Sequence, residues 1–385
     1  MKGIKMIGKM FVSLAIFAIG SGCALTDARY PANATLKTGD GPLVQAHRGS
    51  RGEYDDNAAG GFKWCLEKGV KGFEADIRFT KDHQLVVMHD ETVNRTTGAI
   101  GVTESFTLQE IRNMRLKMSS EPVPTAQELF NVLKDQDDIF IEIEMKAYPS
   151  QFYTDEVLED YCRKLNAAAK EALERGTYAF TCFNIKTLET MRRVAPEAPL
   201  GYIVGKALSE EHIATAKRLN CCNVSPSGTL TTKEMIDRAH EEGLCVCLWM
   251  VQSKAAWDIM KEKGADRITS DYPVLLTQAI NSKKKKVVSI DLDAALGKDR
   301  ANTPKENLDT LKKLEQKYKC ITFGDNYTKT LAWAKENGYE KEDIVFVGDD
   351  FADNASAKEV RSEGMERILI TNYKKFPQAV KVLLD

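Results

Sequence analysis

The sequence predicts a (β/α)₈ barrel followed by a small α/β domain. Between residues 41 and 281, short apolar runs typical of strands alternate with longer stretches of helical periodicity. Eight such strands with helical crossovers are typical of a barrel. A run of lysines then precedes a second, shorter α/β pattern that begins at residue 287. The 385 residues suffice for both units, because single cores rarely grow beyond about 250–300 residues.

The predicted barrel elements follow one another in order along the chain. Strands are expected at 43–47, 72–78, 139–146, 178–183, 199–204, 221–225, 244–251 and 266–270. Crossover helices are expected at 155–174, 185–194, 208–218, 231–242 and 253–263.

One further strand-like run, residues 84–89, does not fit the parallel pattern. It follows the second barrel strand after only a few residues, whereas a parallel crossover needs a dozen or more. We therefore expect an antiparallel hairpin arm. Mirror pairing across residues 80–83 would bring His89 level with Glu74. Residues 90–137 are expected to form an insertion before the third barrel strand.

The first 23 residues have the pattern of an export signal. Three lysines within the first nine residues precede an apolar run from Met10 to Ile19. That run is too short for a bilayer span, which needs about 20 apolar residues. Small residues then lead into Cys23, and the segment resembles a bacterial lipoprotein signal with Cys23 as the lipid-modified residue. We expect an exported, membrane-anchored protein tethered by residues 24–40; a cleaved secretory signal, giving a secreted or periplasmic protein, and an uncleaved anchor are the alternatives.

Composition and cysteine usage narrow the class of protein. The formal net charge of −2 leaves no basic footprint for nucleic acid, so no nucleic-acid partner is expected. The hydrophobic share of 43% is ordinary for a soluble globular chain. The eight cysteines after Cys23 include several in apolar strand-like or helical runs and are expected to act as small buried hydrophobes. Their spacing matches no Cys/His zinc pattern.

Carboxylates on two predicted strands indicate a metal site. Glu74 and Asp76 are two residues apart and therefore project from one strand face. Two unpaired carboxylates inside a barrel are costly unless a cation lies between them, and oxygen ligands suit Ca²⁺ or Mg²⁺. Glu142, Glu144 and Lys146 repeat the pattern on the third strand, near the end where barrel active sites lie. A salt-bridged Glu–Lys layer is the structural alternative.

Two histidines and two basic residues add acid/base and phosphate-binding chemistry. His47 ends the first strand and is followed by Arg48, and His89 ends the hairpin arm. Histidine exchanges protons near neutral pH. Arg48 could hold phosphoryl oxygens as a fork, and Lys146 as a point charge. Trp249 near the mouth would either stack on a head group or fill the rim.

Short motifs follow one another along residues 44–273 in a specific order and spacing. They are Ala46-His47-Arg48-Gly49, Gly72-Phe73-Glu74-Ala75-Asp76-Ile77, Thr80-Lys81-Asp82, Val86-Val87-Met88-His89-Asp90, Arg95-Thr96-Thr97-Gly98, Pro124-Thr125, Ile143-Glu144-Met145-Lys146, Trp249-Met250-Val251 and Ser270-Asp271-Tyr272-Pro273. Together they resemble the glycerophosphodiester phosphodiesterase family, whose fold is a TIM-type barrel of the phospholipase-C-like kind. The resemblance implies hydrolysis of glycerophosphodiesters to glycerol phosphate and an alcohol.

The resemblance also implies roles for individual residues. The divalent-cation ligands would be Glu74, Asp76 and Glu144. His47 and His89 would act as acid and base. The family's Pro-Glu-Asn segment corresponds to Asp55-Asp56-Asn57, so Asn57 matches, while Asp56 is one methylene shorter than the usual residue. Lysophospholipids or wall-polymer diesters are alternative substrates, and a lipid-anchored binding protein with decayed sites is the alternative from another class.

After a basic linker at 282–286, residues 287–385 are expected to form a compact Rossmann-like unit. Asp291-Leu292-Asp293 follows an apolar strand, and Val347-Gly348-Asp349-Asp350-Phe351-Ala352-Asp353 follows another. These segments resemble the aspartates and the Mg²⁺ loop of haloacid-dehalogenase-like phosphohydrolases. The implied site residues are Asp291, Asp293, Lys329, Asp349 and Asp353, with Thr322 as a weaker candidate. Ala294-Ala295 replaces the usual Gly-Thr, so the unit is either an active Mg²⁺-dependent phosphatase or a degenerate structural or metal-binding remnant.

Overall fold

The computed structural model describes residues 35–173, 177–281, 286–322, 327–349, 366–370 and 372–384. The signal segment and most of the predicted tether therefore lie outside the described residues. The strands of the first unit are β1 (Lys37–Thr38), β2 (Gly41–Ala46), β3 (Gly72–Phe79), β4 (Leu85–Val87), β5 (Phe140–Met145), β6 (Tyr178–Cys182), β7 (Leu200–Ile203), β8 (Asn223–Ser225), β9 (Cys245–Leu248) and β10 (Arg267–Ser270).

Eight parallel strands form a closed barrel, as the sequence predicts. They run in the order β2, β10, β9, β8, β7, β6, β5 and β3, and β2 pairs with β3 to close the ring. The short strand β1 pairs antiparallel with β2, with Lys37 opposite Pro42, so the predicted tether ends earlier than residue 40. Closure of the ring places Ser270 beside Ala46 and so brings the two ends of the barrel sequence together.

Helices surround the barrel and bury apolar side chains against it. Their bounds are Ala59–Glu67, Ala126–Leu133, Asp155–Ala172, Ile185–Val194, Glu210–Arg218, Lys233–Glu241, Lys254–Lys263 and Pro273–Asn281. Thr125 and Glu128 form a reciprocal capping box at the start of the second helix. Leu129 and Phe130 of that helix lie in the main core, so the insertion predicted at 90–137 is too long. The short helices Asn94–Thr97 and Leu108–Asn113 form the true insertion, which has a small core of its own.

The hairpin arm is antiparallel as predicted, but its register is shifted by one residue. Ile77 pairs with Val87, and in the same register the Met88 N–H donates to the Asp76 carbonyl at 2.9 Å. The Thr80 N–H donates to the Gln84 carbonyl across the turn, and His83 inside it has a φ of 55°. The connection is therefore one residue longer than the assumed 80–83 turn. His89 consequently lies beyond the ladder and is not paired with Glu74.

A polar layer fills part of the barrel interior below the mouth. Glu142 lies directly beside Glu74 in the register of β3 and β5, but its carboxylate turns to a different partner. Arg267 Nη2 approaches Glu142 Oε1 at 3.2 Å, and Asn223 Nδ2 donates to the same oxygen. Both charged side chains are buried. Glu142 therefore belongs to a structural ion pair and not, as its spacing indicated, to the charges of the mouth.

The tail unit is a four-stranded parallel sheet flanked by helices. Its strands β11 (Val287–Ile290), β12 (Lys319–Ile321), β13 (Ile344–Gly348) and β14 (Glu366–Leu369) lie in the order β12, β11, β13, β14. Its helices are Leu292–Leu296, Lys305–Lys317, Tyr327–Glu336, Phe376–Ala379 and Lys381–Leu384. The sequence pattern also predicts a helix at 354–362, and this segment lies outside the described residues.

The tail unit packs on the loop that follows the first barrel strand. The Leu369 N–H donates to the Gly52 carbonyl at 3.0 Å. Arg367 is fully buried, and its Nε donates to the Glu53 carbonyl at 2.6 Å. Its guanidinium lies 5.0 Å from the ring centre of Tyr54 and 4.9 Å from that of Trp64. The two units are therefore joined through two cation–π contacts of buried Arg367 and through hydrogen bonds to the backbone of the barrel loop.

The cysteines that the structure describes are small buried side chains for the most part. The eight cysteines within the described ranges are free thiols, and all but Cys320 are buried, which confirms the small-hydrophobe interpretation. Within those same ranges, no helix combines the length and apolar character needed to cross a bilayer.

Candidate active site

Three buried carboxylates meet at the mouth of the barrel. Glu74 and Asp76 come from β3 and Glu144 from β5, where the strand register sets Asp76 beside Glu144. One oxygen from each residue lies within 4.8 Å of the others. Strand alternation explains this convergence, since residues two apart share a face and neighbouring parallel strands keep the same level.

The donor set and its hydrogen bonding suit a divalent cation. The Arg48 backbone N–H donates to Glu74 Oε2 at 2.9 Å, and Asn57 Nδ2 donates to Asp76 Oδ2 at 2.9 Å. The remaining oxygen of Asp76, Oδ1, is buried and accepts no well-aligned hydrogen bond within the described part of the chain, although Lys146 Nζ lies 3.2 Å from it. Three clustered carboxylates, one of them with an oxygen that accepts no hydrogen bond, match the oxygen coordination of Ca²⁺ or Mg²⁺.

Lys146 adds positive charge to this cluster. Its Nζ lies 2.5 Å from Glu144 Oε1 and 3.2 Å from Asp76 Oδ1. Burial opposes ionisation of Asp76, but Lys146, His89 and Arg48 together hold the pKa of Asp76 below its usual value. Lys146 and Arg48 thus lie where they can contact phosphoryl oxygens next to the carboxylates.

The other two carboxyl groups respond differently to the same surroundings. Burial raises the pKa of Glu74 well above its usual value, and the charges of Asp76 and Glu144 add to the effect. Burial also raises the pKa of Glu144 to about 7, although Lys146 opposes the shift. Several carboxylates packed together cannot all ionise easily without more positive charge. A bound divalent cation would supply that charge.

His47 is held by Asp271, a carboxylate of the closing motif to which the sequence pattern gave no role. Its Nδ1 lies 2.6 Å from Asp271 Oδ1. Gln252 Nε2 donates to the other oxygen of Asp271, and the Asp271 N–H donates back to Gln252 Oε1. This arrangement fixes the imidazole through Nδ1 and leaves Nε2 for proton exchange.

His89 has a similar partner in its neighbour Asp90. His89 Nδ1 lies 2.7 Å from Asp90 Oδ1, and Arg95 Nε donates to Asp90 Oδ2 at 2.6 Å. Burial lowers the pKa of His89, while Asp76 and Asp90 oppose that shift. Arg78, which the sequence left without a role, donates from Nε and Nη2 to the His89 carbonyl at 3.2 and 3.0 Å. Arg78 therefore fixes the backbone that carries His89.

Asp56 lies in the site but contacts arginines and not the proposed metal ligands. Its Oδ2 accepts from Arg48 Nη1 and from Arg95 Nη2, each at 2.9 Å. The shorter side chain therefore still reaches Arg48. Asp56 links the arginine behind His47 to the arginine that holds Asp90.

Trp249 lies on the rim and is only partly buried. Its Nε1 donates to the Ser225 carbonyl at 2.8 Å, and its ring meets Phe183 edge-on with centroids 6.3 Å apart. The Phe183 side chain is 45% exposed, and its ring centre lies 6.0 Å from Lys146 Nζ. The aromatic pair thus borders the open side of the site.

The candidate residues of the tail lie apart from this site. Asp291 follows β11 and Asp349 follows β13, the adjacent strand, and the Asp291 N–H donates to the Val347 carbonyl. Burial raises the pKa of Asp291, and the Asp349 and Asp293 charges add to it. Asp293 pairs with Arg300 at 2.5 Å.

Two further candidates of the tail, Lys329 and Thr322, lie on a helix and just after a strand. Lys329 lies on the helix Tyr327–Glu336, and Thr322 is exposed just after β12. Asp353 lies outside the described residues.

Known proteins match the barrel portion of the chain. The model of the glycerophosphoryl diester phosphodiesterase family matches residues 47–275. A glycerophosphodiester phosphodiesterase of Caldanaerobacter subterraneus subsp. tengcongensis is 31% identical over 249 residues, covering 62% of this chain and 97% of that protein.

Solved structures share the fold. An Oleispira antarctica phosphodiesterase in complex with the product sn-glycerol-3-phosphate aligns with a TM-score of 0.57 at 23% identity, over 63% of this chain and 98% of that one. A glycerophosphodiester phosphodiesterase from Parabacteroides distasonis gives 0.53 at 22% identity, over 64% and 99%. The family match spans more than half of the chain and includes every residue assigned to the barrel mouth. This chain is an enzyme that belongs to the glycerophosphoryl diester phosphodiesterase family.

Proposed function

We propose that the barrel hydrolyses glycerophosphodiesters to glycerol phosphate and an alcohol in a reaction that depends on a divalent cation. The observation that carries the proposal is the convergence of Glu74, Asp76 and Glu144 next to two carboxylate-held histidines. Asp76 Oδ1, which accepts no well-aligned hydrogen bond among the described residues, supports the cation. When bound by these three residues, Ca²⁺ or Mg²⁺ would act as a Lewis acid and offset charge that develops on the phosphoryl oxygens.

The protein's own groups have separate tasks in this proposal. Arg48 and Lys146 hold non-bridging oxygens of the diester. His47, oriented by Asp271, removes a proton from the attacking oxygen, which belongs to water or to a neighbouring hydroxyl of the substrate. His89, oriented by Asp90, gives a proton to the departing alcohol oxygen as the P–O bond breaks. Attack by water yields the monoester directly, whereas attack by the hydroxyl yields a cyclic phosphate that water then opens.

A substrate panel tests this proposal. The purified chain would be incubated with Ca²⁺ or Mg²⁺ and diesters of choline, ethanolamine and glycerol, with a lysophospholipid and a polymeric glycerol phosphate as the alternative substrates. Phosphorus NMR would separate diester from monoester. We expect glycerol phosphate to appear from the glycerophosphodiesters and chelator to stop it. Conversion that survives chelation would contradict the role of the metal.

We also propose that residues 287–385 form a haloacid-dehalogenase-like unit that supports the barrel and is not a second phosphatase. Asp293, one of the site residues that the resemblance implies, pairs with Arg300, and Ala294-Ala295 stands in place of the usual Gly-Thr. The test is hydrolysis of p-nitrophenyl phosphate with Mg²⁺ by the full chain and by Asp291→Asn. We expect no difference between the two rates. A rate that depends on Mg²⁺ and is lost in Asp291→Asn would overturn this proposal.

We propose, finally, that the chain is exported and anchored through lipid on Cys23. The basic, apolar and small-residue segments before this cysteine support the proposal. Expression with a labelled fatty acid would be compared between the wild type and Cys23→Ser. We expect label and membrane association only in the wild type. Equal labelling of both proteins would contradict the anchor.

A further inference from the structure

A cleft of about 410 Å³ lies where the barrel mouth meets the tail unit. The barrel contributes Arg51, Arg95 and Lys117 to its lining, and the tail contributes Lys375 and Gln378. Its volume falls within the range of about 300–1,000 Å³ that small-molecule sites occupy. The cleft is thus large enough for part of a substrate.

The cleft adjoins the residues that act on the phosphate. Asp271 and Asp56 line it, and each bonds to a residue of the mouth. Asp271 holds His47 Nδ1, and Asp56 accepts from Arg48 Nη1. A group bound in the cleft therefore lies one side chain away from both His47 and Arg48.

The acidic residues of the lining are already engaged by the protein. Asp55 is buried, and its carboxylate accepts the backbone N–H groups of Met118 and Ser119. Asp271 accepts from Gln252 and pairs with His47. These carboxylates offer little uncompensated negative charge to a ligand.

Basic side chains, in contrast, remain accessible around the cleft. The single Asp56 carboxylate is shared by three arginines, Arg48, Arg51 and Arg95, and Arg95 pairs with Asp90 as well. The side chains of Arg51 and Arg95 are 38% and 42% exposed. Lys117 and Lys375 are exposed as well. The charge that a ligand meets is therefore positive, and an anion is the favoured occupant.

The tail is positioned firmly enough to contribute to such a site. Leu369 ends the strand that binds the Gly52 carbonyl, and buried Arg367 anchors the same strand on the Glu53 carbonyl. Lys375 follows six residues after Leu369 in the chain. Its backbone N–H also donates to the Asn372 carbonyl.

We propose that this cleft binds a second anionic group of the substrate, a phosphate or a carboxylate carried by the alcohol beyond the scissile diester. The inference rests on the proposed diesterase function and names the substrate class that the tail unit would select. Lys375 is then a specificity-determining residue supplied by the tail to a reaction that takes place in the barrel.

Steady-state kinetics with matched diesters test the proposal. The substrates would be glycerophosphodiesters of glycerol, of glycerol phosphate and of glyceric acid, which differ in the charge on the alcohol. The full chain would be compared with Lys375→Gln. Lys374→Gln is the matched control, because Lys374 is the adjacent exposed lysine and does not line the cleft.

We expect Lys375→Gln to raise KM about fivefold for an anionic diester. The kcat for that diester, and both constants for the neutral diester, should stay unchanged. Fivefold corresponds to about 1 kcal/mol, the interaction of two unit charges 4 Å apart in water. Added salt should raise the KM of the anionic diester more than that of the neutral diester. The KM values of the diesters of glycerol phosphate and of glyceric acid show which anion the cleft prefers. Equal KM values for all three diesters in the wild type, or equal effects of both lysine substitutions, would overturn the proposal. If the wild type hydrolyses none of the diesters, the proposed diesterase function itself would be contradicted.

Discussion

The pairing of His47 with Asp271 predicts a large loss of turnover in Asp271→Asn. Asp271 uses both carboxylate oxygens, one facing His47 Nδ1 at 2.6 Å and the other accepting from Gln252 Nε2 at 2.8 Å. Asparagine has a single side-chain oxygen and cannot accept from both. Either His47 loses its acceptor or it must take the other tautomer, with Nδ1 facing an amide N–H. In the first case the imidazole loses the partner that orients it, and in the second Nε2 carries the proton and cannot act as a base.

The size of the effect follows from what the pair contributes. Positioned acid/base groups contribute about 10²–10⁴-fold to rate. We therefore expect kcat for a glycerophosphodiester to fall by about 100-fold or more, equivalent to about 2.7 kcal/mol or more of transition-state stabilisation. KM should change little, since Arg48 and Lys146 still hold the phosphate. The pKa of Asp271 lies below its usual value, because the bond and charge of His47 outweigh the effect of burial, so the carboxylate is ionised at neutral pH.

The barrel provides a matched control at the opposite end of the same strand, β10. Asp266 precedes β10, as Asp271 follows it, and its Oδ2 lies 2.8 Å from His240 Nε2. Asp266→Asn changes the same chemistry at the opposite end of the strand, away from the mouth. We expect it to affect thermal stability but to leave kcat near the wild-type value. Equal loss of kcat in both variants, or none in Asp271→Asn, would refute the assigned role of the pair.

Two further predictions concern the metal ligands and the junction with the tail. Glu144→Gln should weaken Ca²⁺ or Mg²⁺ binding, measured by calorimetry, on the order of 100-fold or more; unchanged affinity would remove Glu144 from the metal site. Burial raises the pKa of Glu53 to about 8, against the partial offset of hydrogen bonds from Ser50 and from the N–H groups of Leu275 and Val274. The folded state therefore retains a proton that the unfolded chain releases near pH 4.5, and stability is lost as pH rises from there towards 8. Chemical denaturation should show the unfolding free energy of the wild type falling relative to Glu53→Gln across this window, on the order of a few kcal/mol. A difference that does not vary with pH would contradict the shift.

The barrel and the carboxylate cluster could be predicted because both follow from short-range periodicity. Alternation placed Glu74 with Asp76, and strand order placed Glu144 beside them. The partner of each carboxylate could not be obtained in the same way. Glu142 lies level with Glu74, which belongs to the cluster, yet the Glu142 side chain pairs with Arg267 on a distant strand.

Long-range partners were harder to predict, though one had a usable signal. Barrel closure pairs Ser270 with Ala46, so the residues just after them, Asp271 and His47, must lie side by side. Arg78 had no such signal, because its contact with the His89 carbonyl depends on how the hairpin ends. The anchoring of Arg367 on the barrel likewise depends on two surfaces whose shapes no local pattern encodes.

The most direct test of the central claim is the rate of glycerophosphodiester hydrolysis by His89→Ala in the presence of Ca²⁺ or Mg²⁺. Circular dichroism would first establish that the variant retains the wild-type fold. The site described above predicts a folded protein whose turnover falls by about 10²–10⁴-fold, because the departing alcohol loses its proton donor. Hydrolysis at the wild-type rate by folded His89→Ala would contradict the assignment of the barrel mouth as an acid/base phosphodiesterase site.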